Sequence, residues 1–97
     1  MSMKNPLHPG RMLKSDIDAL GLSVADVAIA LRMSRQQLYR VLRCTAAITP
    51  VMALRLEAAI GSTADMWLRL QASHDLAQGR KQNAAAGVSR VRPRKTA

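Results

Sequence analysis

Residues 22–44, LSVADVAIALRMSRQQLYRVLRC, decide how the chain folds. Ser34 followed by Gln37 is the Ser-x-x-Gln capping box that opens a helix, and Ser23 followed by Asp26 is a looser version of it. After Ser23, the residues Val24, Val27, Ala28 and Leu31 recur at the i, i+3, i+4, i+7 spacing of one helical face. After Ser34, the residues Leu38, Val41 and Leu42 do the same. Two short capped helices with about three residues between them are the skeleton of a helix-turn-helix.

The second helix carries its polar residues in a telling arrangement. At about 100° per residue, Gln36, Arg40 and Arg43 point directly away from the Leu38 face, with Gln37 and Tyr39 on the flanks. Glutamine can pair with adenine in the major groove, and arginine with guanine. The N-terminal residues of such a helix reach furthest toward the bases. Gln36, Gln37 and Arg40 are therefore the expected base readers, and Arg35, Tyr39 and Arg43 either readers or phosphate contacts. The N–H groups beside Ser34 can also hold a phosphate oxygen. A polar outer face is what any solvated helix shows, but this one is one-signed. From Arg32 to Arg43 there are four arginines and no acid.

Outward from this pair the chain stays helical. Pro6 and Pro9 push Asn5 and His8 away from helical geometry, so Met1 to His8 is expected to be an extended arm. Pro9 then suits a first turn, and Leu13, Ile17 and Leu20 lead to a stop at Gly21. Thr49-Pro50 starts a fourth helix, along which Met52, Leu54, Leu56, Ala59 and Ile60 run to Gly61. Ser62 or Thr63 caps a fifth, with Trp67, Leu70, Gln71 and His74 along one stripe. The expectation is an all-α, five-helix domain over residues 1–79. Residues 80–97 hold six basic groups, no acid and no apolar period. They read as a disordered basic tail, which can attract phosphates, fold on a protein partner or simply stay solvated.

Composition limits the function classes. Fifteen Lys and Arg against six acids give a net charge of +9, and such an excess points to a polyanion such as nucleic acid. Trp67 and Tyr39 are the sole aromatics, which disfavours single-stranded RNA and its stacked bases. A lone Cys44 makes no internal disulfide, and with only His8 and His74 as histidines no metal site or cofactor is expected. Cys44 reads either as a reactive thiol beside Arg40 and Arg43 or as a small loop residue. Ser34 has no base placed for it, so no enzyme is expected. No apolar run is long enough for a membrane span and no signal-peptide pattern opens the chain, so a cytoplasmic protein is expected.

The order of motifs resembles a known family. Asn5-Pro6-Leu7-His8-Pro9-Gly10, Leu20-Gly21-Leu22-Ser23, Ala28, Ser34-Arg35, Ile48-Thr49-Pro50, Met52-Ala53-Leu54-Arg55-Leu56, Trp67-Leu68-Arg69-Leu70-Gln71 and Asp75-Leu76-Ala77 are similar to HigA-type antitoxins. These are VapI-like members of the phage-repressor-like (XRE) helix-turn-helix proteins, and the resemblance runs from Asn5 to about Gln78. It implies a lambda-repressor-like domain that dimerises, binds its own operator as a repressor, and neutralises a HigB-like toxin, a RelE-like ribonuclease of messenger RNA. The antitoxin itself would do no chemistry. A stand-alone phage- or plasmid-type repressor without a toxin is the other reading. Three departures stand out: Arg11 replaces an acid, Arg32 replaces a turn glycine, and Arg43-Cys44 replaces Asn-Gly. A palindromic operator needs two reading heads about one DNA turn apart. The dimer surface is expected on the last helix, at Met66, Trp67, Leu70, His74 and Leu76, although Trp67 and Leu70 can equally close the monomer core.

Overall fold

Among the described residues every helix begins on a residue whose side chain accepts a hydrogen bond from the first turn. The computed structural model describes residues 7–94 and gives α1 (Pro9–Ala19), α2 (Val24–Ala30), α3 (Arg35–Leu42), α4 (Pro50–Ile60) and α5 (Ala64–Lys81), with no strand among the described residues. The five N-caps are His8, Ser23, Ser34, Thr49 and Thr63. Such caps satisfy N–H groups that the helix itself leaves unpaired, and each contributes about 1 kcal/mol. Only α3 has the reciprocal box: Ser34 Oγ accepts from the Gln37 N–H, and Gln37 Oε1 accepts from the Ser34 N–H, both at 3.0 Å.

The stops are as regular as the starts. At Gly21, Arg32, Cys44 and Asn83 the backbone turns to positive φ, and the next N–H reaches back to the fifth carbonyl before it. Leu22 bonds to Ile17, Met33 to Ala28, Thr45 to Arg40 and Ala84 to Gly79. This double closure is the Schellman motif. α4 ends differently, on Gly61 at φ 98°.

α4 packs on α5, α2 on α3, and α1 bridges α3 and α5. The shared core holds Leu13, Ile17, Leu31, Leu38, Ile48 and Leu56 around Trp67, which is 0% exposed. Trp67 therefore closes the core of the single chain and cannot itself face a second copy. Its indole N–H has no acceptor among the described residues, a polar cost set against the volume that the ring fills. Leu20 and Leu54 carry the helical period but stay exposed.

Gly10 marks the tightest approach. It lies on the first turn of α1 against the last turn of α3, where a β-carbon would run into the Val41 carbonyl oxygen. The cap of the same turn is a histidine. His8 Nδ1 accepts from the Gly10 N–H at 2.9 Å, and its ring meets the His74 ring edge-on at 4.9 Å.

Two sequence expectations need adjusting at the ends. Of the arm expected over Met1–His8, residues 1–6 lie outside the described residues, and His8 caps α1. Gly79 does not end the last helix. α5 continues to Lys81, and turns follow through residue 87. A mid-helix glycine costs only about 1 kcal/mol; here its carbonyl accepts the closing bond, and Arg80 and Lys81 suit the negative end of the helix dipole. Residues 88–94 carry no regular structure and are exposed.

Gly10→Ala is expected to destabilise the domain by roughly 1–3 kcal/mol, because backbone, not a flexible side chain, must yield. The loss reads as a fall in Tm of several degrees; an unshifted Tm contradicts the close approach. Burial, followed by the nearby His74, pulls the His8 pKa below 6.5, outweighing Asp75 and the Ala46 backbone. The unfolded chain thus binds the proton more readily. His8's contribution to stability is full above pH 6.5 and drains away as pH falls through its lower folded value. Urea unfolding from about pH 7 to about pH 5 should show this loss in the native chain and much less of it in His8→Asn, which keeps a capping acceptor. Equal slopes in the two proteins contradict the assignment.

Candidate nucleic-acid interface

α3 buries one face and leaves the other to solvent. Leu38, Val41 and Leu42 bury its inner face, while Arg35, Gln36, Gln37, Tyr39, Arg40 and Arg43 are all exposed. Among the described residues the sole ion pair is Lys14–Asp18, on the outside of α1. The guanidinium groups of Arg35, Arg40 and Arg43 thus face solvent with no carboxylate neutralising them. Arg43 lies over the Tyr39 ring at 5.3 Å, a cation–π contact that holds both side chains at the C-terminal end of the helix.

The capping box divides the two glutamines. Gln37 turns its amide oxygen back onto the Ser34 N–H, which commits one of its lone pairs and the direction of its side chain to the cap. Gln36, one position earlier, has both groups free. Ser34 uses its hydroxyl as the cap acceptor. The sequence grouped Ser34, Gln36 and Gln37 together; the geometry separates an uncommitted side chain, Gln36, from two members of a cap.

A residue that sequence reasoning passed over sets the angle of the motif. Arg55, on α4, donates from Nη1 to the carbonyl oxygens of Leu31 (3.3 Å) and Arg32 (3.2 Å), the end of α2 and the left-handed turn after it. A cation at a helix C-terminus also suits the dipole. Arg55 appeared in the sequence only as part of a family-like string. Its signal was a lone arginine among the apolar residues of α4. Between α3 and α4 a hollow of about 250 Å³ is lined by Met33, Gln37, Arg40, Val51 and Arg55.

Gln71 is a second link of this kind. Its buried side chain accepts the Ile48 N–H at 2.9 Å and donates to Asp75 at 3.0 Å, tying the loop after α3 to α5. Glu57 of α4 likewise accepts the Ala64 N–H at the start of α5.

The residues suggested for a dimer surface separate. Trp67 is core; Met66 and Leu70 are partly buried against the core. His74 packs on His8, and Leu76 stands 57% exposed. Leu76, Ala72, Gly79 and Ala84 line a shallow apolar groove of about 610 Å³ along the outer side of α5.

Both departures from turn glycine fall on strained backbone. Arg32 has φ 54° and Cys44 φ 65°, a region that costs a residue with a β-carbon roughly 1 kcal/mol. Cys44 is partly buried, with Sγ 4.0 Å from the Leu42 carbonyl oxygen. That geometry fits the loop-residue reading of this cysteine. Among the described residues no group of three or more His, Cys, Asp or Glu could hold a metal, and no helix is long and apolar enough to cross a membrane.

Comparisons with known proteins agree with this architecture. No protein-family model matches the chain. It is 37% identical over 92 residues to the uncharacterised HTH-type transcriptional regulator YddM of Escherichia coli K12, covering 95% of each chain. Its fold superposes on the antitoxin GraA with a TM-score of 0.83, at 31% identity, over 90% of this chain and 98% of that one. It also matches the Pseudomonas aeruginosa antitoxin HigA, solved with the higBA promoter, at a TM-score of 0.80 and 28% identity, over 92% and 98% of the two chains.

Arg32→Gly and Cys44→Gly are each expected to raise stability by about 1 kcal/mol, since glycine enters the left-handed region without a steric penalty. Urea midpoints measure this directly. Lower midpoints in both variants contradict the strain.

Proposed function

This chain belongs to the HigA-type antitoxins, helix-turn-helix proteins of the phage-repressor kind, and we propose that it acts as a homodimeric operator-binding repressor that also neutralises a small RelE-like, messenger-RNA-cleaving toxin. The observation that carries the DNA-binding part is the outer face of α3: free amide and guanidinium groups with no acid among them, on a helix whose other side is locked into the core. Gln36 and Arg40 read bases in the major groove. Arg35 and Arg43 take phosphates, and the Ser34–Gln37 box fixes the angle at which the helix enters.

A second copy fits the reading for two reasons. One eight-residue helix reads too few base pairs to be selective, and two-fold operators demand paired heads. The exposed apolar strip of α5 around Leu76 is the surface that pairing would cover. The toxin is inferred from kinship. GraA and the Pseudomonas aeruginosa HigA, on which the fold superposes, are both antitoxins.

The test uses a duplex covering the region upstream of the chain's own gene. Gln36→Ala and Arg40→Ala are each expected to weaken binding by about 5- to 150-fold, the worth of one good base contact. Circular dichroism should stay unchanged, and two chains should bind per duplex. If both variants keep the native affinity and the native sequence preference, the base-reading assignment is wrong. Co-expression with the product of the adjoining gene tests the toxin: a stable complex supports it, and a single chain with no bound neighbour leaves a stand-alone repressor.

A further inference from the structure

A large share of the positive charge lies beyond the last helix. Residues 1–81 hold eleven basic side chains against all six acids, leaving four of the nine net charges to residues 82–97. Within the described part of that segment, Arg90, Arg92 and Arg94 alternate with Val91 and Pro93. All five are exposed and belong to no helix. Pro93 fixes its own φ and keeps Arg92 out of the helical region, so the local chain is extended. In an extended chain alternate side chains share one face, at about 3.3 Å of rise per residue. The three guanidinium groups then repeat about every 6.6 Å. Successive nucleotides of one DNA strand are about 3.4 Å apart along the axis. Each arginine therefore meets every second base pair.

The width of the groove selects the element that can enter it. A minor groove about 6 Å wide excludes a helix about 10 Å across and admits an extended backbone. A·T tracts narrow that groove and deepen its negative potential, which draws in arginine. Guanidinium sheds water more readily than ammonium does, so arginine suits this dry slot better than lysine.

We propose that Arg90, Arg92 and Arg94 form an extended arm that enters the minor groove of A·T-rich duplex DNA flanking the sequence read by α3. The arm rests on the operator-binding reading, because α3 is what places it beside a particular site.

The experiment takes the full chain, R90A/R92A/R94A and R90K/R92K/R94K, with operator duplexes whose flanks are A·T, G·C or inosine·cytosine. Inosine·cytosine presents an A·T-like minor groove beneath a G·C-like major groove. The native chain is expected to bind A·T and inosine·cytosine flanks alike, and both about tenfold tighter than G·C flanks. The alanine variant should lose the flank preference and shorten the slope of log K against log salt by roughly two to three. The lysine variant should keep the slope and lose the preference. A native chain indifferent to its flanks overturns the proposal. So does a lysine variant with the native preference, or equal affinity for an RNA duplex of the same length. Failure of the two readings is separable. Arm variants should keep the native ratio of affinities for operator and scrambled half-sites, which Gln36→Ala should reduce. If the chain has no operator, A·T against G·C duplexes of random order report on the arm alone.

Discussion

An eight-residue helix has no stability of its own in water, where nucleation is unfavourable and even good sequences need about 12–15 residues. α3 exists because Leu38, Val41 and Leu42 are buried on one side, the Ser34–Gln37 box closes one end and the turn at Cys44 closes the other. That dependence has a functional side. Since burial, capping and turn closure hold the helix, the outward residues other than Gln37 are not needed for these supports. Gln36 and Arg40 are free for contacts outside the molecule.

The same logic explains which features could be foreseen. Caps, periodicity and stops are local, so the five helices and most of their ends were legible from Ser23, Ser34, Thr49, Thr63 and the apolar spacings. The links that orient the helices join residues far apart in the chain, such as Arg55 to the carbonyl of Leu31 and Gln71 to the N–H of Ile48. No local pattern announces them. Gln37 illustrates the limit within one motif. Its capping box and its place on the flank of α3 were both visible in the sequence, but that its side chain is turned back onto the Ser34 N–H emerged only from the structure. Trp67 had two possible places, and its complete burial chose the core. Gly79 misled because glycine usually marks a stop, whereas here the helix runs two residues beyond it.

Charge and conformation are distributed together. Two of the four Schellman closures carry Arg32 and Cys44 where glycine or asparagine would sit without strain. Arg32 adds a cation at the turn between α2 and α3, at a position where the backbone is strained for any residue with a β-carbon. The basic tail, by contrast, adds charge with no folding cost, since residues 88–94 pack against nothing.

Gln71 has a consequence for how small this protein can be. Its side chain is the acceptor for a buried main-chain group 23 positions earlier, in the loop that follows the reading helix, and Asp75 holds that side chain in place one turn later. A fragment ending before this pair would strand a polar group in the interior beside α3, at a penalty of about 1–3 kcal/mol. The helix-turn-helix is continuous in sequence between residues 22 and 44, yet the smallest unit that keeps the loop after it satisfied extends to residue 75.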